Sequence, residues 1–293
     1  MSRLAANSLL VAIALIWGIA FIFQKTAMAA VGPLLFVAIR SGIATLVLIP
    51  FAIREQRAHS SPYPRDALIR WGTLGGVMFF IGAALQQIGL VTATVTNTGF
   101  LTGLYVVIVP LIAWALTRHA PQIHIWSAVG LAFAGTWLLG GGTVGGFSNG
   151  DMLVAISAIF WAAHIIVVER SSRTARPMSF TAIQFLVTGA IAIVFAAAFE
   201  PISFVAISAA APELLYVGVL SSALTFSLLA VALQYTSAVE ATIIVSLETV
   251  FAAIAAAWLL SERLEPIGWL GAAMMFGASV IVNIWPQRAR SEG

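Results

Sequence analysis

The chain has 293 residues, 61% of them hydrophobic and 9% charged, with a formal charge of +3. Soluble domains carry about 25% charged residues, so water is excluded as the main solvent, and the small basic excess lies in short polar stretches, which argues against nucleic-acid binding. With no cysteine present, disulfides, thiolate metal sites and cysteine nucleophiles are excluded.

A bilayer core of about 30 Å is crossed by about 20 apolar residues rising about 1.5 Å each. That rule divides the sequence into ten candidate helices, an all-α integral membrane bundle. The first covers approximately 7–27. Its start, Met1-Ser2-Arg3 before an apolar run, has the form of a secretory signal, with a cleavage-like Ala27-Met28-Ala29. Retention is the reading adopted, because cutting there would discard Trp17, whose counterpart Trp161 lies deep in the chain. Lys25 reads as an anchor whose ammonium reaches the interface. The second span, 34–53, follows Pro33 and holds Arg40 about one and a half turns inward. A guanidinium there suits a substrate carboxylate, but pairing with a helix-end carbonyl or reaching for an interface is favoured. From Arg54 to Arg70 the sequence has the polar, Pro- and Ser-containing character of a water-exposed loop.

The third and fourth spans, 70–91 and 95–117, carry Gln86, Gln87, Asn97, Thr98, Thr102 and Tyr105. Pro110 is expected to bend the fourth. Gly72 to Gly76 and Gly99 to Gly103 are small-xxx-small patterns that let helix backbones approach, and read as packing. The fifth span, 124–142, leads into a glycine-rich join from Gly140 to Asp151. The sixth, 152–169, holds Trp161 and a lone His164, for which a hydrogen bond to a neighbouring helix is expected. A polar break from Arg170 to Arg176 precedes the seventh, 179–199. The eighth, 213–233, contributes Ser221, Ser222, Thr225 and Ser227; the ninth, 239–260, contains Glu248; the tenth covers 266–285. Trp71, Trp126, Trp269 and Trp285 fall near span ends, where an amphipathic ring anchors to the headgroup boundary.

The chain is one unit written twice. Trp17 recurs about 144 residues later as Trp161, and Pro33, Phe36, Ala38 and Ile39 recur without a gap as Pro177, Phe180, Ala182 and Ile183. The expected division is 1–146 and 147–293, five spans each. Eleven of the fourteen Lys and Arg residues, from Arg3 through Arg54, Arg118 and Arg170 to Arg290, fall on the side of the N-terminus. The positive-inside rule therefore places both termini in the cytoplasm of a cell's inner (plasma) membrane. An odd number of spans per copy turns the second copy upside down, the inverted-repeat arrangement of many secondary transporters.

Polar groups inside spans must face protein, water or a ligand. Glu248 reads two ways, as a cavity-facing acid that meets a substrate ammonium or a proton, or as a buried carboxyl satisfied by neighbouring Ser, Thr or Gln. Trp17, Phe79, Phe80, Tyr105 and Trp161 offer stacking faces, and Gln86, Asn97 and Tyr105 offer hydrogen bonds without charge, as a pathway for small, partly apolar molecules requires. The candidate substrate-binding set is Trp17, Phe79, Gln86, Asn97, Tyr105, Trp161 and Glu248. No Walker A loop, G-x-S-x-G or H-E-x-x-H occurs. The chain is accordingly read as a carrier with no cofactor, no metal and no catalytic residues, its partners a small-molecule substrate and the lipid bilayer, as a monomer or weak oligomer.

Trp17-Gly18-x-x-Phe21-x-x-x-Lys25, Pro33 with Arg40, Ala232-Leu233-Gln234-Tyr235-Thr236-Ser237-Ala238, and Glu262-Arg263 followed by Gly268 and Gly271 together resemble the drug/metabolite transporter superfamily, specifically its EamA-type members. The resemblance covers essentially the whole chain. It implies a ten-helix carrier working by alternating access, in a family many of whose members export amino acids or related metabolites. Within it the chain is similar to the YddG-type exporters of aromatic amino acids. One departure stands out: the family often has proline just after the glutamate of the ninth span, and here Thr249 follows Glu248, which puts a helix break at that point in question. Exporters of hydrophobic cations or other metabolites, and a non-transporting membrane assembly subunit, are the alternatives to an amino acid exporter.

Overall fold

A computed structural model describes residues 1–58, 64–139, 148–172, 174–261 and 266–285, and among them every regular element is helical. We label the ten crossings in chain order. They are α1 (Arg3–Ala27), α2 (Pro33–Ala58), α3 (Arg65–Leu90), α4 (Val95–Thr102 then Tyr105–Thr117), α5 (Ile123–Leu139), α6 (Asn149–Ser172), α7 (Pro177–Phe199), α8 (Ala211–Ala232), α9 (Ala238–Val245 then Glu248–Leu259) and α10 (Pro266–Ile284). Nine are long and apolar enough to cross a bilayer, and α5, at 17 residues, is the short one. Lipid offers the backbone no hydrogen bonds, so a crossing segment must satisfy its own amides as a helix. Pro33, Pro177 and Pro266 open α2, α7 and α10, where the missing N–H costs nothing.

The helices outrun the apolar spans. α2 continues to Ala58 and α3 begins at Arg65, so most of the polar stretch read as a loop is helical. Hydropathy marks where hydrocarbon ends; Arg, Glu and Gln are good helix formers and carry the helix on into water. The division between copies at 146/147 lies outside the described residues.

Two carboxylates display the inversion. Glu200, just past the end of α7, accepts from the N–H groups of Leu34 and Leu35 at the start of α2, both at 2.8 Å. Glu55, near the end of α2, accepts from Met178 and Ser179 at the start of α7, at 3.1 and 2.8 Å. Each second helix of a half thus has its N-terminus capped by the far end of the other, which requires the pair to run antiparallel. A carboxylate beside free N–H groups is favoured by their partial positive charge. Glu55→Gln and Glu200→Gln are each expected to cost about 1 kcal/mol at these part-buried ends, and to add when combined because the ends lie about 35 Å apart. Melting temperatures in detergent check this; an unchanged value for either single variant would mean that its carboxylate is simply solvated.

The ends of the chain also meet. Asn7 donates to Asn283 at 2.7 Å and Arg3 to the Val282 carbonyl at 2.9 Å, so α1 starts on the face where α10 finishes. Glycines allow close crossings, among them Gly72 and Gly76 against α7 and Gly135 against the Gly271 carbonyl of α10.

Candidate functional site

The fourth helix of each half is broken in the same place. Thr94 and Ser237 cap the first pieces through the amides of Asn97 and Glu240, at 3.0 and 3.2 Å. Each first piece is eight residues long. Gly103-Leu104 and Ser246-Leu247 then interrupt the two helices with a tightened turn whose backbone stays right-handed, and Tyr105 and Glu248 open the second pieces. The break in α9 therefore exists without a proline after Glu248. In α4 the interruption lies upstream of Pro110, which sits within the second piece. Tyr105 and Glu248, 143 residues apart, occupy equivalent positions, and the Tyr105 hydroxyl donates to Glu248 Oε1 at 2.8 Å. The two halves touch there through side chains buried in the bilayer-spanning core.

Around this contact lies a cavity of about 50 Å3, lined from α1 (Trp17, Phe21, Gln24), α2 (Arg40), α3 (Gln86), α4 (Thr102, Tyr105), α6 (Trp161, His164, Ile165), α8 (Ser221, Phe226) and α9 (Glu248). Both halves contribute. Small-molecule sites combine apolar walls with a few directed polar groups, as this lining does, but within about 300–1,000 Å3, so this closed space must widen to take a bulky solute.

Of the seven residues nominated from sequence, Trp17, Gln86, Tyr105, Trp161 and Glu248 line this space. Phe79 stands behind the wall, fully buried, its ring centroid 5.1 Å from Trp161, 5.6 Å from His164 and 5.0 Å from Phe226. Asn97 is elsewhere: its amide donates to Asp151 of α6 at 3.3 Å, near the start of both helices. A residue in the first turn of α4 cannot reach a cavity built around that helix's break.

The repeated tryptophans are not equivalent in bonding. Trp17 Nε1 donates to Thr225 Oγ1 at 2.7 Å and to the Ser221 carbonyl at 3.1 Å, which ties α1 to α8. Trp161 Nε1 has no hydrogen-bond partner among the described residues. Its ring runs nearly parallel to Phe226, centroids 6.3 Å apart, while Phe226 tilts against Trp17 at 4.7 Å. Phe226 thus bridges the repeated pair. Along α8 the backbone winds as a π-helix from Tyr216 to Leu224. Such wide turns commonly mark functional sites, and this one carries Ser221 and Ser222.

Arg40 takes neither of the two structural forms expected of it. It is 3% exposed, lines the cavity, and bonds to Ser222 and Gln24 rather than to an interface or a helix-end carbonyl. Lys25 does cap a helix end, donating to the carbonyls of Leu90, Val91 and Ala93 where α3 stops. His164 makes the expected inter-helix bond, 2.7 Å between Nε2 and Gln184 Oε1 of α7, and also faces the cavity. Gln24, Ile165 and Phe226 were not distinguishable beforehand, since a lone Gln, Ile or Phe in an apolar run carries no sign of which way it points.

The EamA-like transporter family matches the sequence twice, over residues 4–141 and 148–284. The chain belongs to that family. An uncharacterized transporter of Archaeoglobus fulgidus is 32% identical to this transporter over 284 residues, covering 96% of this chain and 87% of the relative. A second, the uncharacterized transporter YwfM of Bacillus subtilis, is 24% identical over 95% of this chain and 93% of its own. A crystal structure superposes with a TM-score of 0.75 at 16% identity, covering 96% of this transporter and 97% of that chain, a likeness of fold.

Proposed function

We propose that the transporter exports small metabolites, foremost aromatic or bulky neutral amino acids, from the cytoplasm across the inner membrane, with both termini cytoplasmic. The observation that carries this reading is the cavity at the contact of the two halves, with the rings of Trp17, Phe21, Trp161 and Phe226 on its walls and the Glu248 carboxylate among them. Aromatic faces accommodate a bulky apolar side chain, and the carboxylate, oriented by Tyr105, receives the ammonium group. Inverted halves meeting at equivalent helix interruptions around a shared cavity support alternating access, in which the halves rock about that site.

An exporter of hydrophobic cations would also use an acid among aromatic rings. The Arg40 guanidinium on the same cavity disfavours a ligand that is only cationic.

Counterflow into liposomes of purified protein, with labelled tryptophan, phenylalanine and leucine and with and without an imposed pH gradient, tests the proposal. Saturable counterflow of the aromatic pair is expected. Monodisperse protein that moves none of the three would overturn the amino acid assignment.

A further inference from the structure

We infer that Arg40 is the carboxylate anchor of the site, so that the transporter selects zwitterions carrying a free carboxylate. This rests on the amino acid reading above and specifies which end of the molecule each half holds.

Arg40 is a buried cation without a counter-ion. No carboxylate lies within 4.0 Å of its guanidinium among the described residues, where the ion pairs are Arg3 with Glu240 and Arg70 with Asp66. Its acceptors are neutral: Ser222 Oγ takes Nε and Nη2 at 3.0 and 2.9 Å, and Gln24 Oε1 takes Nη1 at 3.4 Å. A guanidinium has five N–H groups. These contacts use three, leaving one N–H on each terminal nitrogen to donate to a carboxylate. The Phe79 ring, 5.6 Å from Cζ, supports the guanidinium without neutralising it.

A charge at this depth is costly unless paired. Glu248 lines the same cavity, yet it bonds to Tyr105 and forms no ion pair with Arg40. Two opposite charges face one space without meeting. A zwitterion admitted as this space widens would bridge them, its carboxylate on Arg40 of the first half and its ammonium toward Glu248 of the second. The arrangement is polar in one direction only, because the residue equivalent to Arg40 is the neutral Gln184, engaged with His164.

Three ligands with one ring system separate the ends: tryptophan with both charges, indole-3-propionate with the carboxylate alone, and tryptamine with the ammonium alone. Their affinities are measured by thermal shift and by competition in counterflow. In the wild type tryptophan should bind most tightly. Arg40→Gln should weaken tryptophan and indole-3-propionate by about tenfold or more, and leave tryptamine unchanged or tighter because a repelling charge is gone. Arg40→Lys, which retains charge but not the fork, should recover only part of the loss. Glu248→Gln should show the reverse pattern, weakening tryptophan and tryptamine but not indole-3-propionate. If wild-type protein binds and moves tryptophan yet Arg40→Gln weakens all three alike, or none, Arg40 is structural and this inference fails. Should Arg40→Gln not fold, equal wild-type affinity for tryptophan and tryptamine overturns it equally. A wild type that takes no amino acid at all defeats the functional reading instead.

Discussion

Glu248→Gln is expected to raise the KM for aromatic amino acids by about tenfold or more while the protein stays folded. The amide is the same size, and its carbonyl oxygen still accepts the Tyr105 hydroxyl that now reaches Glu248 at 2.8 Å. What disappears is the negative charge, and a charge-assisted hydrogen bond is worth about 1.5–3 kcal/mol, or roughly 10–100-fold in affinity. Glu248→Asp keeps the charge but withdraws it by one methylene from Tyr105, so it should fall between glutamine and the wild type. Tyr105→Phe removes the hydroxyl that orients the carboxylate and should lower transport less than loss of the charge itself. Counterflow kinetics on all three variants make the check. Wild-type KM and rate in Glu248→Gln would return the carboxyl to a structural role.

The pairing of Tyr105 with Glu248 also explains what sequence could and could not convey. Ten spans, two copies and their inversion were readable because lipid imposes a length and a composition, and because Trp17, Pro33 and Phe36 recur at a fixed interval. The breaks were not. Proline was the expected mark of an interruption in α9, yet Ser246-Leu247 and Gly103-Leu104 interrupt their helices without one at that point. Here Thr249 donates to the Gly99 carbonyl at 3.1 Å, and the Thr249 side chain lies against Gly99 and Gly103, so α4 and α9 hold each other's broken ends. That support is tertiary and leaves no local sign.

Facing was the other quantity hidden from sequence. In a soluble helix polar residues mark the outside; in a bilayer both the lipid face and the protein face are apolar, so the pattern of a span says little about its inner side. Asn97 and Gln86 looked alike as polar residues in neighbouring spans. The structure sends Gln86 to Thr102 at 2.7 Å in the cavity and Asn97 to Asp151 at the helix start. The direction taken by Arg40 was hidden for a related reason. Most arginines in spans escape to water, and what keeps this one inward is Ser222, presented from the π-helical turn of α8 in the other half.

Gly18→Ala is expected to be the most damaging single methyl in the chain's functional region. Gly18 follows Trp17 on α1, and a Cβ there would stand 2.6 Å from Phe251 Cβ, 2.7 Å from the Glu248 carbonyl and 2.8 Å from the Ala252 nitrogen. Two of those three atoms are backbone of the second piece of α9, so a side-chain rotation cannot make room and one helix must move. Overpacking of this kind costs about 1–3 kcal/mol. The displacement would act on the residue before Gly18, which lines the cavity, and on Glu248 itself, so transport should fall further than stability. Gly42→Ala supplies the contrast: a Cβ there meets nothing within 4 Å, and in a helix the substitution should be neutral or stabilising by about 0.4–1 kcal/mol. Melting temperature and counterflow rate for the two variants decide the matter. Equal behaviour of Gly18→Ala and Gly42→Ala would mean that α1 and α9 are not in contact as described, and the wall that joins Trp17 to Glu248 would have to be redrawn.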